Sequence, residues 1–425
     1  MSSRKAIIIG AGPAGLSTAL RLQQTTDIRC TIYELRPEPT TMGGAIAIFS
    51  NGLRLLDQMG LFQPLKTRGN SRSTFVIRSI QGDIIGEQED AVSYARARTG
   101  FGHMRVKRTD IIDVMLQAVS EAKIPVHYNK KLTTINEDEK GVTVTFADGT
   151  SDTADLLIGC DGIHSYVRKL YVDPDQAPEY SGFSSLGSIV PVSSLPPDTA
   201  AAASKQLSGL SATFTEEGMF MATVCTAAGD EISWGFSEQV SLPNSGDSRD
   251  GWEVRRKEEV DMFKANMHKI LANANGEWST TLRQLVDKSE VIKFYPIYRL
   301  PLGGTWSKGR CILLGDAAHA MQPHAGQGVS MALEDAFLLS RLLCDSSKPL
   351  TEVFETFDQI RRPRVEEIHK LSAHNANIRK KSGPWGLMIK ETILKLAFLV
   401  SGFLKLDMWG FGQKHLIYDI AEVKV

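Results

Sequence analysis

The first thirty-four residues restrict the fold of this chain more than any other stretch. Ala6 to Ile9 is an apolar run of strand length, and Gly10-Ala11-Gly12-Pro13-Ala14-Gly15 is a G-x-G-x-x-G turn. Leu16 to Leu22 then carries helical apolar spacing, and Cys30 to Tyr33 is a second apolar run closed by Glu34. Strand, glycine turn, helix and strand in that order predict a βαβ unit. Each glycine has its own reason: Gly10 permits the tight turn, Gly12 lets backbone N–H groups reach a pyrophosphate, and Gly15 allows the helix to pack closely on the strand. Glu34, 19 residues after Gly15, stands where a carboxylate accepts ribose hydroxyls, and Arg36 is placed to flank an adenosine. The unit predicts a dinucleotide site without separating NAD from FAD.

Two more apolar runs end in an acidic residue beside a glycine. Cys311 to Leu314 leads directly into Gly315-Asp316, and Ala154 to Cys160 leads into Asp161-Gly162 with Ser165 and Arg168 following. A carboxylate at the carboxyl end of a buried strand stands where open α/β sheets bind ligands. Ten residues after Asp316, Gly326-Gln327-Gly328 precedes apolar residues at Val329, Leu333, Ala336, Phe337 and Leu343, so a helix starts at a glycine-rich turn. Free N–H groups at such a start attract phosphates or electron-rich ring atoms. In Met42 to Leu56, Gly43-Gly44 allows unusual backbone angles, and Ala45, Ala47 and Phe49 alternate along one face of an extended segment, leaving room for something flat. The basic segment His103 to Arg108 runs into helical spacing from Ile111 to Val119, with Thr109 or Asp110 as the expected N-cap.

Taken together, these stretches resemble the group A flavin-dependent aromatic hydroxylases, the para-hydroxybenzoate hydroxylase family. The resemblance rests on the G-x-G-x-x-G turn with Glu34, the DG motif at Asp161 and the GD motif at Asp316. It implies an α/β fold: a Rossmann-like FAD-binding domain, an interleaved α+β substrate domain and C-terminal helices. The division implied is 1–70, 100–178 and 298–370 for FAD, 71–99 and 179–297 for the substrate sheet, and 371–425 for the C-terminal helical region. Asp316 would hold the FAD ribitol, and the turn from Pro323 through Gly326, Gln327, Gly328 and Val329 would face the isoalloxazine. Gly44, Ala45 and Ala47 would run beside the ring, and Arg108 would lie against it, with Arg105 and then Lys107 as the other candidates. Asp161 would serve both FAD and the nicotinamide cofactor. The chain departs from the family pattern at Ser330, where an asparagine is usual, at Ala45 and Ser50, and at Ile111 in place of leucine. Trp409, Phe411 and Tyr418 resemble the aromatic endings of fungal-type, secondary-metabolite members.

The implied activity is that of a single-component monooxygenase: NADPH or NADH reduces FAD, O2 adds at flavin C4a, and the hydroperoxide gives one oxygen atom to an electron-rich aromatic or polycyclic substrate. Hydroxylation, epoxidation and Baeyer-Villiger oxidation all remain open. The absence of a second complete G-x-G-x-x-G agrees with transient nicotinamide binding. Two other classes stay open: an FAD-dependent dehydrogenase or oxidase, and a non-catalytic FAD-fold binding protein. His324, after Pro323, is the candidate catalytic residue, able to accept a phenolic proton or orient substrate, or else to frame the flavin turn structurally.

The stretch from Glu179 to Ile297 has no glycine motif. Strands are expected at Leu186 to Val192, Ala212 to Thr226, Glu231 to Phe236 and Val291 to Tyr295, and a hairpin turning at Gln81-Gly82-Asp83 joins them from upstream. Trp252 to Ala274 has helical spacing, and the alanine run Thr199 to Ser204 reads as a surface loop or short helix. Tyr295, Tyr298 and Arg299 are pocket candidates on the return to the GD strand, although aromatic residues in a strand are more often core.

Charge excludes one class of partner. Lys plus Arg total 48 against 49 Asp plus Glu, which argues against a nucleic-acid surface. The five cysteines are odd in number and widely spaced, so neither a disulfide framework nor a metal site is expected, and a reducing compartment fits. MSSRKAIIIG enters a strand directly, and a cytoplasmic location is expected. Leu396 to Leu404 is uncharged for nine residues, far short of the ~20 that span a bilayer. A buried terminal helix or a dimer contact is expected there, with an interfacial membrane helix as the alternative and the protein a monomer or homodimer.

Overall fold

A computed structural model describes residues 3–39, 44–241 and 257–425. Met42, Gly43 and the Trp252 end of the expected helix lie outside the described residues; the described part of that helix is Lys257–Ile270.

Three apolar runs become neighbouring strands of one six-stranded sheet. Its order is Ser307–Lys308, Cys311–Leu313, Leu156–Gly159, Lys5–Ile9, Arg29–Tyr33 and Val126–His127, parallel throughout except for the Ser307–Lys308 edge. Helices cover this sheet, so Ile7, Ile8, Leu157, Ile158 and Ile312 are fully buried, as continuous apolar runs in a parallel sheet require. The register pairs Ile9 with Gly159 and Gly159 with Leu313. The glycine turn, Asp161 and Asp316 therefore leave three adjacent strands at one level, on the carboxyl edge of the sheet. Leu132–Asp138, Gly141–Phe146 and Ser151–Ala154 form a separate antiparallel meander.

A second, seven-stranded sheet runs in the order Lys293–Arg299, Glu179–Pro191, Glu231–Gln239, Gly218–Val224, Gly209–Phe214, Thr74–Arg78 and Ile84–Gln88. The single run expected from Ala212 to Thr226 is a hairpin. The Thr215 hydroxyl accepts the Gly218 N–H at 3.0 Å and turns the chain, so the apolar pattern continues through a reversal. The alanine run is helical, Pro197–Gln206. One face of the sheet packs Leu186, Phe220, Trp234, Phe236 and Phe294 against Leu282 and Leu285 of the helix Glu277–Asp287. Residues alternate across a strand, so Tyr295 and Ile297 face the other way from Phe294, towards the first sheet's domain.

Two expectations need correction. The helix after the basic segment is Arg108–Glu121, capped by Lys107 and not by Thr109 or Asp110. The Arg108 N–H donates to Gly44 O at 3.0 Å, so a neighbouring strand end supplies the acceptor that a side-chain cap would have given. Asp110 sits instead in the first turn, where a carboxylate favours the helix dipole. The C-terminal helix Pro384–Leu404 is not a buried terminal helix: none of its residues is buried. Leu387, Leu394 and Phe398 pack on Ile77, Ile85 and Phe214, and the opposite face is uncovered. Among the described residues no helix is long and apolar enough to cross a membrane.

Candidate functional site

The surroundings of the three glycines in the first turn differ. A Cβ on Gly10, which has φ +105°, would lie 2.4 Å from Cys160 O, and one on Gly15 would lie 2.0 Å from Gly10 O. These two glycines let backbone pack on backbone. A Cβ on Gly12 would meet nothing within 4 Å, so Gly12 borders open space. The helix Pro13–Thr25 starts here with Gly12 as N-cap and no side-chain cap, leaving first-turn N–H groups for an anion. The Glu34 carboxylate accepts the Ala11 N–H at 2.7 Å and the Arg36 N–H at 2.9 Å, which holds it at the lip of the same turn. We expect Gly12→Val to fold with the thermal midpoint of the unliganded wild type while retaining less than a tenth of its bound flavin. Absorbance of flavin per chain beside a thermal melt separates the two effects; wild-type flavin content in the variant would place the ligand elsewhere.

Gly315 (φ +58°) delivers Asp316 at the start of the short helix Asp316–His319. Asp316 is open to solvent, yet burial among surrounding protein atoms raises its carboxyl above the usual range against the pull of His319 and Arg108. Both observations describe a group on the floor of a cleft. Arg108 shares that cleft: burial lowers its guanidinium, and Asp316, Arg36 and Tyr295 all lie within electrostatic reach. Asp161 is differently placed. Its carboxylate accepts Ser165 Oγ–H at 2.5 Å and the N–H groups of Tyr166 and Val167 at 2.6 and 3.1 Å, so it shapes the loop after its strand. The buried Arg168 guanidinium then donates to Ile163 O at 2.5 Å and Ala317 O at 2.7 Å, tying the DG loop to the GD helix.

One wall of the cleft is thin. Ala45–Phe49 pairs antiparallel with His103–Lys107, with Ala45 opposite Lys107, Ala47 opposite Arg105 and Phe49 opposite His103. Ile48, Met104 and Val106 point into the core, which leaves Ala45, Ala47, Phe49, His103, Arg105 and Lys107 on the other face. That face meets the glycine turn: a Cβ on Gly326 would lie 3.0 Å from the Phe49 ring and 4.0 Å from Ala47. Gly44 and Gly328 border open space. Pro323–Ala325 forms a single turn before Gly326, and the helix Gly328–Leu342 begins beyond it with Gln327 as N-cap and no side-chain cap. Val329 is half-buried against the core, and Ser330 is fully buried, its Oγ where a Cβ on Gly52 would come within 2.5 Å. The departure at Ser330 therefore lies behind the turn and leaves the backbone facing the cleft unchanged.

Sequence reasoning missed what holds this turn. Glu334, Asp335 and Arg361 are fully buried and His319 nearly so. Arg361 donates from Nε to Asp335 Oδ1 at 2.8 Å and from a terminal nitrogen to Glu334 Oε2 at 2.7 Å. Asp335 Oδ2 accepts the Gly315 N–H at 2.8 Å and lies 2.7 Å from His319 Nε2. Glu334 Oε1 accepts Asn51 Nδ2–H at 2.8 Å, and the same Asn51 amide reaches Gln327 Oε1 at 2.9 Å. Burial alone would raise the Asp335 carboxyl; His319 and Arg361 outweigh it and hold Asp335 below its usual range. The available signal was Glu334-Asp335 inside an apolar helix, followed by the arginine-rich segment Arg361-Arg362-Pro363-Arg364.

The pocket candidates divide. Tyr295 lies on the inward face beside Arg108. Tyr298 packs edge-on against Tyr180 and His164, at 5.8 and 5.7 Å between ring centroids, and Arg299 pairs with Glu179 at 3.7 Å, both partly exposed. The His324 ring meets Phe183 edge-on at 5.8 Å, Asn375 Nδ2 donates to His324 O at 3.1 Å, and His324 Nε2 is buried without a partner. Burial, with Arg379 nearby, lowers the imidazole to about 3, so it is neutral at physiological pH. Arg105, with burial lowering it to about 10, pairs with no carboxylate among the described residues; its guanidinium donates to Arg72 O at 3.3 Å. Among the described residues no cluster of His, Cys, Asp or Glu is arranged to hold a metal ion, and all five cysteines are free.

An open glycine cradle at a helix start, an exposed carboxylate at a neighbouring strand end and open space at Gly44 and at the second helix start, Gly328, fit FAD. Comparison with known proteins agrees. Residues 3–372 match the family described as FAD binding domain. The chain is 28% identical over 386 residues to 6-hydroxynicotinate 3-monooxygenase of Pseudomonas fluorescens, covering 90% of this chain and 94% of that one. It is 30% identical over 345 residues to an FAD-dependent urate hydroxylase of Klebsiella pneumoniae, covering 79% and 80%. The crystal structure of Klebsiella pneumoniae HpxO complexed with FAD and uric acid has the same fold, with a TM-score of 0.78 at 23% identity over 95% of both chains. This chain belongs to the FAD-binding-domain family of group A flavin-dependent monooxygenases. These relatives are bacterial, so the likeness is to the family and not to its fungal-type members specifically.

Proposed function

We propose that the protein is a single-component FAD monooxygenase that uses NADPH or NADH and O2 to place one oxygen atom on an electron-rich aromatic or polycyclic substrate. The observation that carries this reading is the convergence of open points on one edge of the first sheet: Gly12 at the first helix start, the exposed Asp316, and Gly44 and Gly328 bordering open space, with Arg108 and Tyr295 nearby. Bound FAD would supply hydride acceptance and oxygen activation; the chain supplies placement and exclusion of water. In this reading the turn through Gly10, Gly12, Ala14 and Gly15 cradles the pyrophosphate, with Gly12 at its open side, Glu34 and Arg36 hold the adenosine side, and Asp316 holds the ribitol. Gly44, Ala45, Ala47, Arg108 and Pro323 to Val329 surround the ring, and Asp161 sets the loop between the flavin and the nicotinamide. The three-part FAD-binding division and the 71–99 and 179–297 substrate division are part of the proposal, as is a cytoplasmic location, which suits the five free cysteines.

The relatives above act on a hydroxynicotinate and on urate, both small nitrogen heteroaromatics, which supports a heteroaromatic substrate for this chain. A screen of hydroxypyridine, purine, phenolic, indolic and polyketide compounds for stimulated NADPH or NADH consumption tests the reading. A flavin dehydrogenase or oxidase would return hydrogen peroxide and no oxygenated product, and a binding protein would show no turnover.

His324 gives a sharper test. With its ring held neutral, it can position a substrate hydroxyl but is a weak proton acceptor, so product coupling should not titrate with this residue between about pH 5 and 8. We expect His324→Ala to keep FAD and its reduction while at least half of the NADPH consumed appears as hydrogen peroxide. Product per NADPH equal to wild type would leave His324 a structural residue.

A further inference from the structure

The helix Pro384–Leu404 is apolar on both sides, and only one side has a partner. A helix that is hydrophobic all round is normally covered all round, by protein or by lipid. Here Leu387, Leu394 and Phe398 rest on the second sheet, with Phe398 stacked over Gly86. On the far side Trp385, Ile389, Ile393, Leu396, Val400 and Phe403 recur at steps of three and four, and all are exposed, Trp385 at 76% and Phe403 at 87%. The face continues into Met408, Trp409 and Phe411, at 69 to 75% exposed. Contiguous apolar surface of this extent marks an interaction site.

Charge selects the partner. Residues 380 to 414 hold six Lys and two Asp or Glu, and with Lys381 paired to Glu217 five Lys remain against two carboxylates, whereas the chain as a whole has a net charge of -1. Lys395 flanks the apolar face and Lys405 closes the helix; both are exposed and neither pairs with a carboxylate among the described residues. Lysines bordering an apolar stripe can reach headgroup phosphates while their stems stay with the acyl chains, and tryptophans favour that boundary. A second copy of the chain is a poorer fit, because a two-fold contact would bring the same basic segment against itself. We propose that Pro384–Leu404 lies in the surface of an anionic membrane, as an interfacial helix that docks the enzyme without spanning the bilayer.

The test is flotation of the FAD-loaded full chain with vesicles of phosphatidylcholine alone or mixed with phosphatidylglycerol. We expect flotation with the mixed vesicles, at least ~10-fold less with neutral vesicles, and release by high salt. Ile393→Glu/Phe403→Glu should abolish flotation with unchanged flavin content and thermal midpoint, since both side chains are exposed and outside the core. Lys395→Glu/Lys405→Glu should remove the preference for anionic vesicles. Absence of flotation from mixed vesicles, or equal flotation of the Ile393→Glu/Phe403→Glu variant, overturns the proposal. So does a concentration-dependent dimer that this variant breaks, which would assign the face to a second copy.

Discussion

Arg361→Ala should lower the unfolding free energy by about 3–5 kcal/mol, the cost of leaving buried carboxylates without their cation. The mechanism is local and complete. Arg361 is fully buried, and its guanidinium joins Glu334 and Asp335, which are buried as well. Removing it leaves two like charges side by side away from water, with Arg364 the remaining arginine in reach of Glu334 and His319 hydrogen-bonded to Asp335. A typical domain is stable by about 5–15 kcal/mol, so the variant should be marginal and low-yielding. Arg361→Lys should lose less but still a large part, because an ammonium is a point charge and does not present a fork to two carboxylates. Asp335, held below the usual carboxylate range, contributes stability above its unfolded pKa that is lost as pH falls through its folded value. The wild type should therefore lose this term in acid. Urea unfolding at neutral pH measures the effect, and a midpoint within error of wild type for Arg361→Ala would remove the network from the account.

The second large effect has opposite signs on folding and on binding. Asp316→Ala should weaken FAD by about 1.5–3 kcal/mol, the contribution of a charge-assisted hydrogen bond to a ligand hydroxyl. That is roughly 10- to 150-fold in affinity. The unliganded fold should be unchanged or more stable. A carboxyl raised by burial makes the folded state bind protons more readily than the unfolded state, so it penalises folding as pH rises above its unfolded value, and alanine removes the penalty. Sites held at a stability cost in this way are common where a ligand must be met. Titration of FAD into apoprotein, with a melt of that apoprotein, gives both signs; unchanged affinity would reject the role of Asp316.

The βαβ unit and the GD and DG strand ends could be read from the sequence because each is a local pattern with one physical outcome. Four apolar residues followed by a glycine and a carboxylate have few places to go other than a buried strand ending in a cleft, and the register of Ile9, Gly159 and Leu313 brings those ends together. The alternation at Ala45, Ala47 and Phe49 marks one face of a strand, but only the pairing with His103–Lys107 shows that Arg105 shares it while Arg108 starts the next helix. The N-cap was missed for a related reason: the acceptor of the Arg108 N–H is Gly44 O, more than sixty residues away. The charge network was harder still. Asn51, Glu334 and Arg361 come from three separate helices, and no periodicity reports that a polar face will be roofed by another helix. At the C-terminus the pattern correctly showed an apolar helix but carries no information about which side is covered.

Oxygen-isotope labelling tests the central claim most directly. The substrate that most stimulates NADPH or NADH oxidation is turned over under 18O2 in unlabelled water, and the product is weighed by mass spectrometry. The account predicts one labelled oxygen atom per product molecule, with formation abolished by loss of FAD in the Gly12→Val variant. Product carrying oxygen from water, or nicotinamide oxidation yielding only hydrogen peroxide with the best substrate, would contradict it.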